Sequence, residues 1–289
     1  MPDRPDQEAL LAELPPGSGY RRRRDRALGR VLDAALGTRQ RALGVGREID
    51  RAGEESPRRR VVALGVYSEG GAGPMTSAVD ELRRSRHEVG VFLGALGEPA
   101  PALGTETARS GMQGGKFANL NLLAEAANPL AADWVLLLDD DVELPRRFLD
   151  RLITVAERLR FDLVQPALSR ASHGAWDVNR RRAAMARQTQ FVEIGPATLI
   201  SRRAWRVVAP FPEAGMGWGL CLHWAALAKR HGWRLGVIDA VPVRHELRPP
   251  AASYPREEAK AAAAELLAQH EHISRAEAEQ VLASHPGLP

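Results

Sequence analysis

Cysteine is almost missing from this 289-residue chain. Cys221 stands alone, so an intramolecular disulfide framework is excluded and a reducing compartment is permitted. Lysine is nearly as scarce: Lys116, Lys229 and Lys260 are the only ones, and arginine supplies the rest of the 40 basic residues. A replacement that general looks like a composition bias, which strips the pI of about 9.7 of most of its functional meaning. Aromatic residues make up 5% of the chain, and the basic runs Arg21–Arg24, Arg58–Arg60 and Arg180–Arg182 carry little aromatic interleaving. That pattern argues against a nucleic-acid module. No apolar run approaches membrane-helix length. Met1 to Leu14 is acidic and polar, without the apolar segment of a signal peptide, and we expect a cytoplasmic protein. Internal repeats are absent. So are the dinucleotide fingerprint G-x-G-x-x-G and the phosphate loop G-x-x-x-x-G-K-[ST].

What is present is a hydrophobic fraction of 44%, enough for a substantial core in one domain with extensions. Residues 1–59 read as an N-terminal helical extension. Pro2, Pro5, Pro15, Pro16 and Gly17 punctuate its start. Leu28, Val31, Leu32, Ala35 and Leu36 then keep helical spacing, which predicts a helix packed on the main domain. The main domain spans 60–250. It opens with a strand over 61–67, a glycine-rich turn, a helix over 76–86 and a second strand over 88–93. This βαβ unit favours a parallel sheet. Residues 251–289 form an Ala/Glu-rich helical tail.

The chain is organised around residues 134–145. Trp134-Val135-Leu136-Leu137-Leu138 is apolar and too short for a helix, so it reads as a buried strand. It stops at Asp139-Asp140-Asp141, and Pro145 is placed to begin a helix to about Arg160. Ligands of open α/β sheets bind at the carboxyl ends of strands. Alternation along an extended chain sends Asp139 and Asp141 to one side, where they repel unless a cation lies between them. Oxygen donors suit Mg²⁺ or Mn²⁺, completed by substrate phosphates. A solvated acidic turn before a helix is the bland alternative. Upstream, Gly114-Gly115-Lys116 opens a helix whose exposed N–H groups favour a phosphate, and Asn119 and Asn121 interrupt its apolar pattern. Further on, residues 166–190 read as a long polar connection. Residues 191–200 read as a strand broken at Gly195-Pro196, residues 219–230 as a helix ended by Gly232, and 235–239 as a strand leading to Arg244-His245.

A βαβ opening, Gly115-Lys116 with Asn121, Asp139-Asp140-Asp141 after an apolar strand, and a late Arg244-His245 follow one another in order. Over residues 60–247 this resembles the GT-A fold glycosyltransferases, most closely the family-2-like group. The resemblance implies an α/β, Rossmann-like, mixed and mostly parallel sheet flanked by helices. It implies a D-x-D motif that holds a divalent metal, Mn²⁺ or Mg²⁺, through Asp139, Asp141 and a late histidine, His245. Lys116, Asn121, Asp139, Asp140 and Trp218 are then the donor-binding residues, with a nucleotide-sugar donor and an unidentified acceptor as partners. Direct inverting transfer needs a base, and here the sequence departs from the family. Counting back from Gly232-Trp233, the family's catalytic aspartate falls on Cys221, preceded by Leu220 rather than Glu. His223 is the substitute we expect, with Glu193 and Glu213 as other candidates. A base-less sugar-nucleotide binding or partner protein, and a nucleotidyltransferase, remain alternative readings.

Overall fold

The computed structural model describes residues 7–15, 20, 22–248 and 254–289. Pro2, Pro5, Pro16, Gly17, Arg21 and the expected boundary at 250/251 lie outside them. The described chain begins with α1 (Gln7–Ala12), α2 (Arg23–Ala42) and α3 (Val45–Glu54). The βαβ opening follows as β1 (Arg60–Tyr67), α4 (Ala72–Arg83) and β2 (Glu88–Ala95), with β1 and β2 parallel. Next come β3 (Thr107–Arg109), α5 (Lys116–Ala127), β4 (Trp134–Leu138), α6 (Phe148–Arg158) and β5 (Leu163–Leu168). After β6 (Ala186–Thr189) and β7 (Ala197–Ser201), the chain forms α7 (Arg202–Val208), α8 (Leu220–His231) and β8 (Leu235–Val243). It closes with α9 (Arg256–Gln269), α10 (Arg275–Ala278) and β9 (Val281–His285).

These strands build one 9-stranded sheet in the order β3-β2-β1-β4-β7-β5-β8-β6-β9. Only β6 and β7 run against the others, so the sheet is mixed and mostly parallel. Strand alternation divides the core in two. Val62, Leu64, Val135 and Leu137 face the layer of α5, α7, α8 and α9. Val61, Ala63, Leu136 and Leu138 face the layer of α3, α4 and α6. Both faces of the sheet are therefore covered, which is why the central strands read as unbroken apolar runs.

Several expectations change. The helix expected from Pro145 starts at Phe148, because Arg147 before it sits in the left-handed region at φ 60°. Residues 191–196 are loop, and β7 begins only after Pro196, whose nitrogen cannot donate to a ladder. The "polar" connection after β5 is largely interior: Arg187 is 1% exposed, bonded to Asp239 at 2.8 Å and to the carbonyls of Val178 and Arg180. The tail is not all helix, since β9 pairs antiparallel with β6 at the sheet edge. On α2 the expected apolar stripe faces outward, with Leu28 61% and Val31 65% exposed. Its inward side is polar instead. Gln40 donates to the carbonyls of Ala184 and Asp239, and Arg26 pairs with Glu246 at 2.8 Å.

Candidate active site

Parallel strands that end together bring residues far apart in sequence to one rim of the sheet. Here β1 ends before Ser68, β4 before Asp139 and β8 before His245, and the antiparallel β7 begins there after Ile194 to Pro196. The rim opens into a cleft of about 640 Å³, lined among others by Lys116, Asp139 to Asp141, Glu193, Trp218, Cys221 and His245.

Each aspartate has its own partner. Asp139 receives Lys116 Nζ at 2.5 Å, and that ammonium also donates to the Ile194 carbonyl at 3.1 Å. Burial, with the charge of Asp141 adding to it, pushes the Asp139 carboxyl above its ordinary range against the pull of Lys116. Asp140 accepts from the backbone N–H and the hydroxyl of Ser68, both at 2.9 Å. Asp141 meets His245 Nε2 at 3.1 Å and Arg248 Nε at 3.2 Å. Burial opposes the Asp141 carboxylate, but the bonds and charges of His245 and Arg248 win and hold its pKa below the usual value. His245 is the reciprocal case: burial alone would lower it, and the Asp141 bond with the charges of Asp141, Asp139 and Glu193 raises it. Arg248 also pairs with Asp140 and donates to Ser68 Oγ at 3.2 Å. Two glycines make room for this cluster. A Cβ on Gly71 would stand 1.8 Å from Asp140 Oδ2, and one on Gly195 would stand 2.6 Å from Asp139 Oδ2.

The residues expected from the sequence divide cleanly. Lys116, Asp139, Asp140, Asp141, Trp218 and His245 are brought together, and Trp218 Nε1 donates to the Tyr254 hydroxyl at 3.1 Å. Asn121 is not in the cleft: its amide exchanges two hydrogen bonds with the backbone of Phe211, at 2.9 and 2.8 Å, so it fastens the loop before α8. Its neighbour Asn119 lines the cleft instead, two positions away and so on another face of α5. His223 is not brought to the cleft either. Residues two apart on a helix do not share a face. Cys221 points in, while the His223 ring bonds the Glu271 carbonyl at 2.8 Å and lies against His270. Glu213 is exposed and lies outside the lining. Cys221 itself is buried, and burial together with the nearby Glu193 charge drives its thiol far above the normal range. Ser68 and Arg248 are the participants that sequence reasoning missed. Their only signals were a hydroxyl at the end of β1 and an arginine three positions after His245.

Among the described residues no group of three or more His, Cys, Asp or Glu side chains is arranged to hold a metal ion. A pair of acidic oxygen donors with one imidazole at their edge is nonetheless a set that a hard divalent cation accepts when phosphates supply the remaining ligands. The donor set fits on that ground. Burial is the main reason Asp139 is raised, and a cation between Asp139 and Asp141 would relieve the smaller repulsion that adds to it.

No family model matches the chain, and no curated protein matches it. Solved structures do match it. The chain is similar to GalNAc-T7, whose crystal structure holds UDP, GalNAc and Mn²⁺, with TM-score 0.51 and 12% identity over 68% of this chain and 46% of that one. It thus spans about half of that protein's length. It is also similar to the mannosyltransferase PcManGT from Pyrobaculum calidifontis in complex with GDP-Man and Mn²⁺, with TM-score 0.53, 15% identity and coverage of 88% and 79%. At such identities the likeness speaks to the fold, and the fold is GT-A.

Proposed function

We propose that this protein is a divalent-metal-dependent glycosyltransferase that moves a sugar from a nucleoside-diphosphate sugar to an acceptor hydroxyl with inversion. The observation that carries the reading is the strand-end cluster. Asp139, Asp140 and Asp141 sit beside His245 and Lys116 in one cleft of a GT-A fold. The bound UDP, GDP-Man and Mn²⁺ of the two similar structures support the same class of donor and ion.

In this reading Asp141 and His245, with Asp139 beside them, would hold the metal. When bound, the metal offsets the negative charge that grows on the departing diphosphate. Lys116 lies at the start of α5, where backbone N–H groups also face the anion. Asp140, fixed by Ser68, orients the loop, and Trp218 supplies an apolar wall for the sugar or base. Arg248 pairs with the same carboxylates, and a diphosphate arriving at the cluster would compete for its guanidinium.

The test is a thermal-shift and calorimetric panel of UDP, GDP and their sugars, with and without Mn²⁺. We expect Mn²⁺-dependent binding that Asp141→Ala weakens at least about tenfold, the loss of one charged ligand contact. Binding that survives EDTA unchanged would remove the metal from the reading. The departure at Cys221 is what favours the alternative of a sugar-nucleotide binding protein without turnover, and release of nucleoside diphosphate separates the two.

A further inference from the structure

Inverting transfer requires a group to accept the acceptor's proton, within hydrogen-bond reach directly or through one water. Where the related family has an aspartate, this chain has Cys221, only 5% exposed and with its thiol pushed far up. The other groups of the cleft are engaged. Lys116 is a cation paired with Asp139, and His245 is bonded to Asp141. One carboxylate is left. Glu193, on the loop before β7, lines the same cleft and lies near enough to Cys221 for its charge to oppose the thiolate.

The setting of Glu193 is built rather than incidental. Its backbone N–H donates to Gln165 Oε1, and its carbonyl accepts from Thr198 Oγ1 at 2.9 Å, so the main chain is held from two strands. Its Oε2 accepts from Asn179 Nδ2 at 3.0 Å, and Asn179 is fully buried. Among the described residues no donor bonds Oε1. One oxygen is anchored and the other is left for a ligand, an arrangement suited to proton transfer.

Resting on the glycosyltransferase reading, we infer that Glu193 is the general base of this protein, replacing from the β7 loop the aspartate that α8 lacks. The acceptor hydroxyl gives its proton to Oε1 as its oxygen bonds the anomeric carbon. The bond from that carbon to the diphosphate oxygen breaks, and its electron pair leaves with the nucleoside diphosphate. The proton on Glu193 is then lost to solvent. With no acceptor present, water takes the place of the hydroxyl and the donor is hydrolysed.

The charges facing Glu193 are Lys116 on α5, Arg180 on the connection after β5 and His245 after β8, and the neutral thiol of Cys221 faces it from α8. Burial dominates over the Asn179 bond and the three cations, and raises the carboxyl from an ordinary 4.5 to about 7. A base must be ionised, so turnover rises with pH through about 7 and levels off above it.

The experiment follows nucleoside diphosphate release from UDP- and GDP-sugars with Mn²⁺, from pH 5.5 to 9, alongside calorimetry of UDP and GDP with Mn²⁺. Glu193→Gln is expected to slow release about a hundredfold or more, to abolish the rise near pH 7 and to leave nucleotide affinity within about twofold. Glu193→Asp is expected to keep part of the rate and a titration. Wild-type release rates in Glu193→Gln overturn the inference, as does a slowed variant whose pH profile is unchanged or whose nucleotide affinity is lost. If the wild-type protein binds nucleotide with Mn²⁺ but releases none from any donor, the transferase reading falls and the base with it.

Discussion

Replacing Glu193 by glutamine keeps the side chain's shape and an oxygen for the Asn179 bond, and removes only the charge. The consequence for stability follows from proton linkage. In the unfolded chain this carboxyl ionises near 4.5, and in the folded cleft near 7. A folded pKa raised above the unfolded one means a contribution fully present below about 4.5 and lost as pH rises through about 7. That gap, at about 1.4 kcal/mol for each tenfold change in proton affinity, comes to roughly 3 kcal/mol. The wild-type protein carries this cost at pH 8.5 and Glu193→Gln does not. Urea unfolding at pH 8.5 is therefore expected to find the variant more stable by up to about 3 kcal/mol, with the difference shrinking below about 1 kcal/mol at pH 5. The variant is thus a trade: slower chemistry and a firmer fold, as expected where a site holds a charge in poor solvent. A difference equal at both pH values, or a variant less stable at pH 8.5, would refute the claim that burial disfavours this carboxylate.

Asn121→Ala is expected to lower stability by about 1–3 kcal/mol, since it leaves the Phe211 N–H and carbonyl without their partner. Nucleotide affinity in the same variant stays near wild type, because the residue lies outside the cleft; a selective loss of binding in calorimetry would contradict the geometry. Arg187→Met isolates Asp239 in the interior and is expected to cost about 3–5 kcal/mol. Adding Asp239→Asn should recover a large part of it, read as non-additive urea midpoints in the double variant. Cys221 is expected to resist iodoacetamide at pH 8 in the folded protein and to react at once in denaturant, followed by mass spectrometry.

The amino-acid order alone determined the features that depend on near neighbours. An apolar pentapeptide ending in three aspartates has one comfortable arrangement, a buried strand whose end is charged, and β4 is that strand. The βαβ opening and the Gly232 end of α8 are equally local, resting on strand length, helical spacing and a left-handed cap at φ 63°. Periodicity also located the stripe on α2, but it cannot say which side a stripe faces. There the carbonyls of Ala184 and Asp239 and the carboxylate of Glu246 lay beneath the helix, and Gln40 and Arg26 turned inward to them while Leu28 and Val31 turned out. The strand β9 was hidden for a related reason: its pairing with β6 is set by a partner far upstream, not by its own pattern. Only the tertiary structure decided the membership of the site. Ser68 and Arg248 are 180 positions apart and meet because β1, β4 and β8 end at one rim of the sheet. The same assembly turned Cys221 inward and His223 outward on one helix, and left Glu193 with one oxygen bound and one free. Spacing along a chain fixes which residues share a face; which faces meet is settled only when strands and helices pack.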